Sequence, residues 1–599
     1  MANTSVNLTS LDFDTLKESL KTYLSTQSVF KDYDFEGSNI NVLLDILSHN
    51  SHLNSFYLNM VASEMFLDSA QKWDTVVSHA KELNYVPRSS KSSVANVNLI
   101  VDTTGISAPF TIPKGTLFTG SNSNGTFSYA TRSEGTYTSS NTVYEVENLQ
   151  IYEGVYVNNS FIMDRSNETQ QFVLTNENID TDSLTVKVFE DNSTTGAEYF
   201  RVDTLFGLTS TSNVYFIQGA QNNQYEILFG DGFLGRKPKD QALITTEYMV
   251  TTGSDSNGVK TFSLDTDLGP DNDGSVNLTS LTTSSNSAGG ANTENIESIR
   301  FYAPRYFATQ QRAVAADDYN SLILSKFGGT IDDVNVYGGQ VLEPKQYGRV
   351  VICLKPTSGT IAPDYIKAEI KNYLLEFISL PTRVIITNPE YIYCEITSIV
   401  KYDPNLTVKL SNDIKNVVLT SIKDYSTDNL EKFGKDFRFS KLIREIDDSD
   451  DSILSNDTSI RLLKKLYPKT NFPTTYEIYF DNPSNYNVLN LEPIVDSSYF
   501  TYVDSEGINY TLCKIKDDNE GNLIVYNYVN NLYNELNSSI GTIDYDLGKI
   551  TINKLNVSDY GNVFSIYMTP KSYDVTIYND KILLIDLNDV TITTVEEIT

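Results

Sequence analysis

The sequence has little histidine and little cysteine. Among 599 residues there are three of each. The cysteines, Cys353, Cys394 and Cys513, lie far apart inside apolar, strand-like runs and form no C-x-x-C pair. This spacing argues against a disulfide framework and is typical of a protein kept in a reducing compartment.

Positive charge is also scarce, with 45 basic against 77 acidic residues and a net charge of −32. A field of that sign repels nucleic acid and anionic membranes, so we expect neither as a partner. No uninterrupted apolar run approaches the roughly 18 residues of a membrane-spanning helix. The N-terminus has no basic segment followed by an apolar one, so no signal peptide is predicted.

The three histidines all lie within the first 80 residues. His49 and His52 are three positions apart in a helical pattern and could share one helix face. A tetrahedral metal site needs further ligands, and His79 is the one other histidine near them in sequence. Packed or partner-facing histidines are the favoured interpretation, and no metal or cofactor is predicted.

Helical periodicity dominates residues 10 to 90. The stretch from Asn39 to Leu67, about 30 residues, predicts a helix about 45 Å long. It is apolar on more than one side, and its two neighbouring helices are short. We therefore expect a partner chain to cover it in a helix bundle. The predicted partner-packing side chains are Leu43, Leu47, Leu53, Phe56, Tyr57, Met60 and Val61.

After residue 91 the apolar period changes from the helical value to two. The expected fold class is α+β multidomain, with an N-terminal helical segment (1–91), a β-rich middle (92–292), an α+β domain (293–471) and a β-rich C-terminal domain (472–599). Residues 251–292 are rich in Gly, Ser, Asn and Asp and are interpreted as mostly loop. Thr293 is the expected N-cap of the helix that follows.

The stretch "EILFGDGFLGRKPKD" (226–240) contains a G-x-G-x-x-G spacing. A dinucleotide loop needs a helix after the third glycine, because the helix N-terminus holds the pyrophosphate. Here Pro238 and β-type residues follow instead, so a turn between two strands is favoured over nucleotide binding. The predicted structural turn motif consists of Phe229, Gly230, Asp231, Gly232 and Gly235.

Other candidate chemistry is weak. The segment "DTDLGPDNDG" (265–274) is acidic like a calcium loop, but it lacks the D-x-D-x-D-G order and the distal Glu, so a solvated loop is favoured. Nothing singles out a carboxylate pair suited to glycoside hydrolysis. The sequence contains no G-x-S-x-G and no Walker loop, and no enzymatic activity is predicted.

Five motifs occur in a familiar order over about 200 residues. They are "IPKGT" (112–116), "FGDGFLGRKP" (229–238), "SNG" (256–258), "SAGGANTENIESIRFYAP" (287–304) and "RAVAADDY" (312–319). This order resembles the baseplate J-like family of contractile phage tails. The helical N-terminus and the segment 432–457 further resemble the baseplate wedge subunits of T-even-type bacteriophages in that family.

The resemblance implies a virion protein of the tail baseplate, assembled in the host cytoplasm. It implies homodimer contacts, contacts with other wedge subunits and neighbouring wedges, and a ring around the central hub that rearranges on tail contraction. It also implies that the N-terminal helices enter a shared bundle and that the glycine stretch is a scaffold turn.

The alternative is a tail-fibre-like adhesin or glycan depolymerase, which would also be β-rich and full of Tyr and Asn. That class predicts sequence repeats or a trimeric stalk pattern. The long N-terminal helices and the lack of a fixed-period repeat favour the baseplate subunit.

Overall fold

A computed structural model describes most of the chain. The described residues are 12–27, 38–103, 109–137, 143–167, 169–191, 193–203, 207–265, 268, 276–342, 344–379, 381–484, 493–529, 532–578 and 580–597. Two predictions are affected by these bounds. The region before residue 12 and most of the acidic segment 265–274 lie outside the described residues.

Helices occur at the N-terminus and again in the middle of the chain. The α-helices in the described part are α1 (Phe13–Ser25), α2 (Asn39–Glu64), α3 (Trp73–Glu82), α4 (Ile296–Ala308), α5 (Ala316–Phe327), α6 (Asp364–Leu374), α7 (Ser411–Asn429) and α8 (Phe439–Asp447). Short 3-10 helices are formed by Gln221–Asn223, Gly253–Ser256, Gly339–Val341 and Leu587–Asp589.

Strands make up most of the remainder. In chain order they are β1 (Val94–Asp102), β2 (Phe110–Ile112), β3 (Leu117–Asn122), β4 (Gly125–Ala130), β5 (Gly135–Tyr137), β6 (Val143–Glu153), β7 (Val155–Ile162), β8 (Phe172–Leu174), β9 (Ile179–Phe189), β10 (Ala197–Arg201), β11 (Val214–Gly219), β12 (Tyr225–Phe229), β13 (Leu243–Val250), β14 (Phe262–Leu264), β15 (Asn277–Ala288), β16 (Ile331–Gly338), β17 (Arg349–Pro356), β18 (Arg383–Thr387), β19 (Glu390–Tyr402), β20 (Ile453–Leu466), β21 (Thr474–Tyr479), β22 (Val495–Ser497), β23 (Phe500–Val503), β24 (Asn509–Asp517), β25 (Asn522–Val529), β26 (Leu532–Asp544), β27 (Lys549–Leu555), β28 (Val557–Asp559), β29 (Phe564–Met568), β30 (Lys581–Leu584) and β31 (Val590–Glu596).

The chain forms two compact units, and neither is one continuous stretch of sequence. Unit 1 contains Met1–Ile331 and Pro363–Pro381, and unit 2 contains Asp332–Ala362 and Thr382–Thr599. The α+β multidomain class with an N-terminal helical segment is confirmed. The finer boundaries expected at residues 91, 292 and 471 stay predictions.

Unit 1 carries its strands in two main sheets. One has the order β14-β3-β4-β6-β1-β15, the other β7-β13-β9-β10-β11-β12-β8. The strand pattern explains their cores, because side chains alternate between the faces of a strand. In β1 this alternation turns Val97, Leu99 and Val101 inward, where all three are buried.

Part of the loop expected in this unit is a strand instead. Most of the segment 276–288 forms β15 rather than a loop, and β15 pairs antiparallel with β1. Ser and Asn suggested a loop, but the Thr residues are β-branched and favour a pleated surface. Leu278 and Leu281 pack against the core of the sheet, which fixes which face of β15 turns inward.

Unit 2 is built around one large sheet with the main order β21-β27-β26-β25-β24-β22-β29-β20-β19-β30, onto which β23, β28 and β31 are added. In β19 the alternating Ile392, Cys394 and Ile396 enter its core, and α7 and α8 contribute to the same core. Asn388 and Pro389 separate β18 from β19. In the described part of the chain, no helix is long and apolar enough to cross a membrane.

Candidate functional site

The inward side chains of helix α2 are mostly small or polar, and most of its large apolar side chains point outward. Its buried residues are Asn41, Leu44, Ser48, Asn59 and Ala62. At 3.6 residues per turn these five occupy an arc of about 60°. Two of them are apolar, so this inner face provides little of the apolar contact that usually holds a helix in place.

The predicted partner-packing residues lie mainly on the opposite side. All but Met60 are between 39% and 62% exposed, namely Leu43, Leu47, Leu53, Phe56, Tyr57 and Val61. Met60 is half-buried. Val42, Ile46 and Leu58 are exposed as well. Together these side chains cover an arc of about 200° around the helix. We name this set of ten residues the α2 apolar surface.

Local hydrogen bonds define where the first two helices begin. The Asp12 carboxylate accepts the backbone N–H of Asp14 and of Thr15 at 3.3 and 3.2 Å, and the Ser38 hydroxyl accepts that of Asn41 at 3.1 Å. Such N-caps satisfy backbone donors that the helix itself leaves unpaired.

Both carboxylates of α2 are engaged within the chain. Lys17 on α1 places its ammonium 2.5 Å from the Asp45 carboxylate. The Glu64 carboxylate accepts the backbone N–H of Gln71 at 2.9 Å and that of Lys72 at 3.4 Å. The charge of Asp45 is therefore paired with a cation, and the Glu64 carboxylate is held by backbone donors beyond the end of the helix.

The histidines form no metal centre within the described residues, where no three His, Cys, Asp or Glu side chains are grouped to hold an ion. His49 lies exposed on α2, and His52 is half-buried. A ring nitrogen of His79 lies 3.0 Å from the backbone carbonyl oxygen of Glu64, which ties α3 to the end of α2.

A buried cluster around Glu294 attaches the segment after α3 to α4. The Tyr85 hydroxyl lies 3.0 and 2.9 Å from the two Glu294 carboxylate oxygens, and the backbone N–H of Arg88 lies 3.0 Å from one of them. The Arg88 guanidinium is 3.3 Å from the same carboxylate, whose side chain is fully buried. Burial and the negative charge of Glu294 raise the pKa of Tyr85 well above its usual value, so its hydroxyl stays a hydrogen-bond donor.

The N-cap expected at Thr293 was wrong. Asn295 caps α4, its side-chain oxygen accepting the backbone N–H of Ser298 at 2.7 Å. The Thr293 hydroxyl instead lies 2.8 Å from that of Ser90. Sequence reasoning also missed Glu294, because its partner Tyr85 is 209 positions away and no local pattern marks the pair.

The glycine motif forms a tight turn between β12 and β13, and no helix starts after it. The Asp231 carboxylate accepts the backbone N–H groups of Phe233 and Leu234 at 2.8 Å each, and hydrogen bonds from Leu234 and Phe233 lower the pKa of this carboxyl. Gly232 donates its N–H to the carbonyl of Gly235 at 3.0 Å, which closes the turn.

Two of these glycines are needed for different reasons. A Cβ on Gly230 would lie 2.3 Å from the carbonyl carbon of Gly235, so the backbone approaches too closely for any side chain. Gly232 has φ +96°, a conformation that favours glycine, although a side chain there would meet open space. Phe229 anchors the turn by packing edge-on against Phe172 at 5.4 Å. At the tip, the Phe233 side chain is 83% exposed, which the sequence motif did not reveal.

Within the acidic run 445–451, the Asp450 carboxylate makes several contacts inside the chain. The Asp450 carboxylate accepts the Lys409 ammonium at 2.6 Å, and the backbone N–H and hydroxyl of Ser452 at 3.0 and 2.5 Å. Burial opposes ionisation, but these hydrogen bonds outweigh it and lower the pKa of Asp450 to about 2.

The cysteines are structural rather than reactive. All three are free and buried. Burial raises the pKa of the Cys353 and Cys394 thiols to about 12, so neither is a thiolate nucleophile near neutral pH.

Three segments match known protein families. Residues 12–85 match the helical domain of baseplate wedge protein gp6-like proteins. Residues 315–385 match C-terminal domain I, and residues 390–465 match C-terminal domain III, of the baseplate structural protein gp6. The first match spans α1 to α3 and therefore includes the α2 apolar surface.

A curated relative extends the similarity over most of the chain. The baseplate wedge protein gp6 of Enterobacteria phage T4 is 27% identical over 484 residues, which are 76% of this chain and 70% of that protein. A chain of the anti-feeding prophage baseplate, solved by cryo-EM with 6-fold symmetry, shares 13% identity with a TM-score of 0.29, over 76% of this chain and 95% of that one. A TM-score that low supports no conclusion. The family matches and the phage relative support a structural baseplate role for this chain.

Proposed function

We propose that the chain is a non-catalytic structural subunit of a phage tail baseplate wedge, which pairs with a second copy of itself and with other wedge proteins through the α2 apolar surface. The observation that carries the proposal is the outward orientation of that surface. A globular helix normally buries its apolar stripe, whereas α2 leaves most of its large apolar side chains in contact with water.

The apolar burial at stake is of the same order as the entropic cost of association, about 4–15 kcal/mol, so this surface contributes to a complex together with the other contacts of the interface. Burying the remaining exposed half of a Leu, Val, Phe or Tyr side chain contributes about 1 kcal/mol. Six such residues of the predicted set contribute about 6 kcal/mol before the entropy of association is subtracted. Permanent interfaces are apolar in this way and commonly bury about 2,000 Å² or more.

The finer assignments extend this proposal. From the resemblance to the baseplate J-like family, we infer that the chain links neighbouring wedges into a ring around the central hub. The ring changes diameter on tail contraction by movement at the interfaces while each subunit stays rigid. Assembly takes place in the host cytoplasm before the protein enters the virion.

Cryo-EM of the assembled particle tests this function directly. We expect copies of the chain in a closed ring at the end of the tail tube, with α2 covered by helices of neighbouring chains. A location on tail fibres would contradict the proposal, as would a solvent-exposed α2 in the particle. Incubation with host surface polysaccharide separates the alternative, because cleavage products would identify a glycan depolymerase instead.

A further inference from the structure

Strand β7 forms one edge of the seven-stranded sheet in unit 1. It pairs with β13 on one side, and none of the described strands pairs with its other side. A strand in this position presents unpaired backbone N–H and C=O groups, to which an extended strand of another chain can add. Many proteins protect such an edge with charged side chains, proline or a β-bulge.

Strand β7 has none of these protections. Its sequence, VYVNNSFI, contains no charged residue and no proline, and it pairs with β13 along its whole length without a shift of register. Asn158 and Ser160, near the middle of the strand, are exposed. The edge is therefore regular, uncharged and accessible over its central part.

Other edge strands of the chain are protected or short. β16 carries Asp332 and Asp333, and β21 carries Glu477 and directly follows Pro473. β15 is uncharged, but its register with β1 shifts at three points. β8 and β14 are each three residues long. Compared with these strands, β7 offers the fewest obstacles to a further strand.

The direction of the backbone groups of β7 follows from a contact just after its last residue. The Met163 N–H donates to the carbonyl of Ala242 at 2.9 Å, so Met163 faces the β13 side. Successive residues of a strand direct their backbone groups to opposite sides. Asn159 therefore faces β13, whereas Asn158 and Ser160 direct their N–H and C=O groups to the free edge.

Both ends of this free edge are closed within the chain. The Gly154 N–H, just before β7, donates to the carbonyl of Ser128 at 2.9 Å. At the other end, the side-chain amide of Gln170 donates to the carbonyl of Ile162 at 2.7 Å. An added strand can therefore pair only with the stretch between these two contacts.

This stretch is complementary to itself. When two copies of β7 pair antiparallel about a two-fold axis at Asn159, Asn158 lies opposite the partner's Ser160 and Ser160 lies opposite the partner's Asn158. Both residues direct their backbone groups to the shared edge, so each pair exchanges both of its N–H···O bonds. No like charges come to lie opposite each other, because the strand has no charged side chain.

The charges beside the strand also permit two copies to approach closely. Glu247 lies opposite Asn158 on β13, and its carboxylate pairs with the Lys114 ammonium. In a chain of net charge −32, contact between identical surfaces is opposed wherever carboxylates are unpaired. An edge that recognised a charged segment of another protein would carry the opposite charge, so the uncharged edge favours a second copy of this chain as its occupant.

We propose that β7 pairs antiparallel with β7 of a second copy about a two-fold axis at Asn159, which joins the two seven-stranded sheets into one. The contact is held by backbone hydrogen bonds. It is separate from the α2 apolar surface and does not depend on the role proposed for that surface.

Cysteine cross-linking of the full chain tests the pairing. In this register the two copies of residue 159 form a pair without hydrogen bonds, whose Cα atoms lie about 4.5 Å apart, within the range of about 4.4–6.8 Å that a disulfide spans. With copper phenanthroline as the oxidant, Asn159→Cys should therefore form a covalent dimer on a non-reducing gel. The three native cysteines are buried and should give little background. The control is Val173→Cys on β8, at the opposite edge of the same sheet, which should not cross-link.

Changes at Ser160 separate backbone pairing from side-chain contact. In the Asn159→Cys protein, Ser160→Pro removes an N–H that faces the partner and none that faces β13, so cross-linking should slow at least about tenfold. Ser160→Ala keeps this N–H and should cross-link like the parent protein. Ser160→Lys adds a charge to the edge without altering the backbone and should also slow cross-linking. Circular dichroism and thermal unfolding show whether each variant is folded.

The proposal is overturned if Asn159→Cys cross-links no faster than Val173→Cys, or if Ser160→Lys and folded Ser160→Pro cross-link as fast as Ser160→Ala. The measurement is repeated with Leu47→Asp and Tyr57→Asp also present, where cross-linking should persist. Its loss there would show that the β7 strands meet only through pairing of α2, and would overturn a separate contact. A failure of the α2 contact and a failure of the β7 contact therefore give different results.

Discussion

Replacing Leu47 and Tyr57 together by aspartate should abolish assembly without unfolding the protein. In the chain by itself these side chains are 52% and 59% exposed. Substitutions at such positions usually change the free energy of unfolding by no more than about 0.5 kcal/mol. We therefore expect native circular dichroism and a nearly unchanged Tm.

The effect on association should be far larger. Each substitution removes about 1 kcal/mol of apolar burial at the interface. It also forces a carboxylate into a water-poor contact, at a cost of about 2 kcal/mol. Together the two changes weaken association by about 6 kcal/mol, or about four orders of magnitude in Kd.

Sedimentation velocity across a concentration series measures self-association, and co-purification with a partner wedge protein measures joint assembly. The control is Leu406→Asp with Tyr467→Asp in unit 2. It replaces the same residue types with the same change in charge, at positions that are 63% and 71% exposed. We expect the control to assemble as the native chain does.

Two results would refute the reasoning. If the α2 double variant assembles like the native chain, then the α2 apolar surface is not the contact. If both double variants fail equally, then added negative charge rather than loss of the α2 contact explains the defect.

Three further predictions follow from charge and backbone geometry. Self-association should strengthen between about 20 and 150 mM salt, because the salt shortens the Debye length to about 8 Å and so screens the repulsion between copies of charge −32. Weaker dimers at higher salt, measured by sedimentation velocity, would contradict this. Gly230→Ala should lower the free energy of unfolding by about 3 kcal/mol and Gly232→Ala by about 1 kcal/mol, since only the first creates a backbone clash. Equal losses in urea unfolding would show that the close approach of Gly230 to the backbone of Gly235 is unimportant. Asp450→Asn should lower the free energy of unfolding by about 2 kcal/mol at pH 7. Because the folded pKa of Asp450 is depressed to about 2, its contribution to stability is present above the unfolded value near 3.8 and is lost as pH falls towards 2. The free energies of unfolding of the native protein and the variant, measured in urea, should therefore converge over that range. A constant difference between them would contradict the assignment.

The sequence was most informative where a single period ran over many residues. Helical spacing from Asn39 onwards predicted α2, which the structure ends at Glu64. The period alone could not identify the buried side, because apolar residues surround most of the helix. Tertiary packing, which includes contacts with α1, decides that: Asn41 and Asn59 are buried, whereas the larger Leu47 is exposed.

Sequence reasoning failed where the determining partner is distant. Glu294 lies in a stretch rich in Gly, Asn and Thr, and its hydrogen bonds reach Tyr85 and Arg88 more than 200 positions earlier. The segment of β15 was interpreted as loop for a related reason, since its pairing with β1 supplies the order that its own Ser and Asn residues do not. Neither interaction has a local signature.

The charge of the chain explains why association should be confined to particular places. Two copies of charge −32 repel at long range, so contact is favourable only where apolar burial exceeds that repulsion. The α2 apolar surface is suited to this, because its exposed side chains are apolar and Lys17 pairs with Asp45, while the Glu64 carboxylate lies at the end of the helix and is held by the backbone of Gln71. If breaking the first pair with Lys17→Gln exposes Asp45 as an unpaired charge, self-association should weaken most at low salt and recover at high salt. A loss of association independent of salt would instead mean that Lys17 acts by orienting α1.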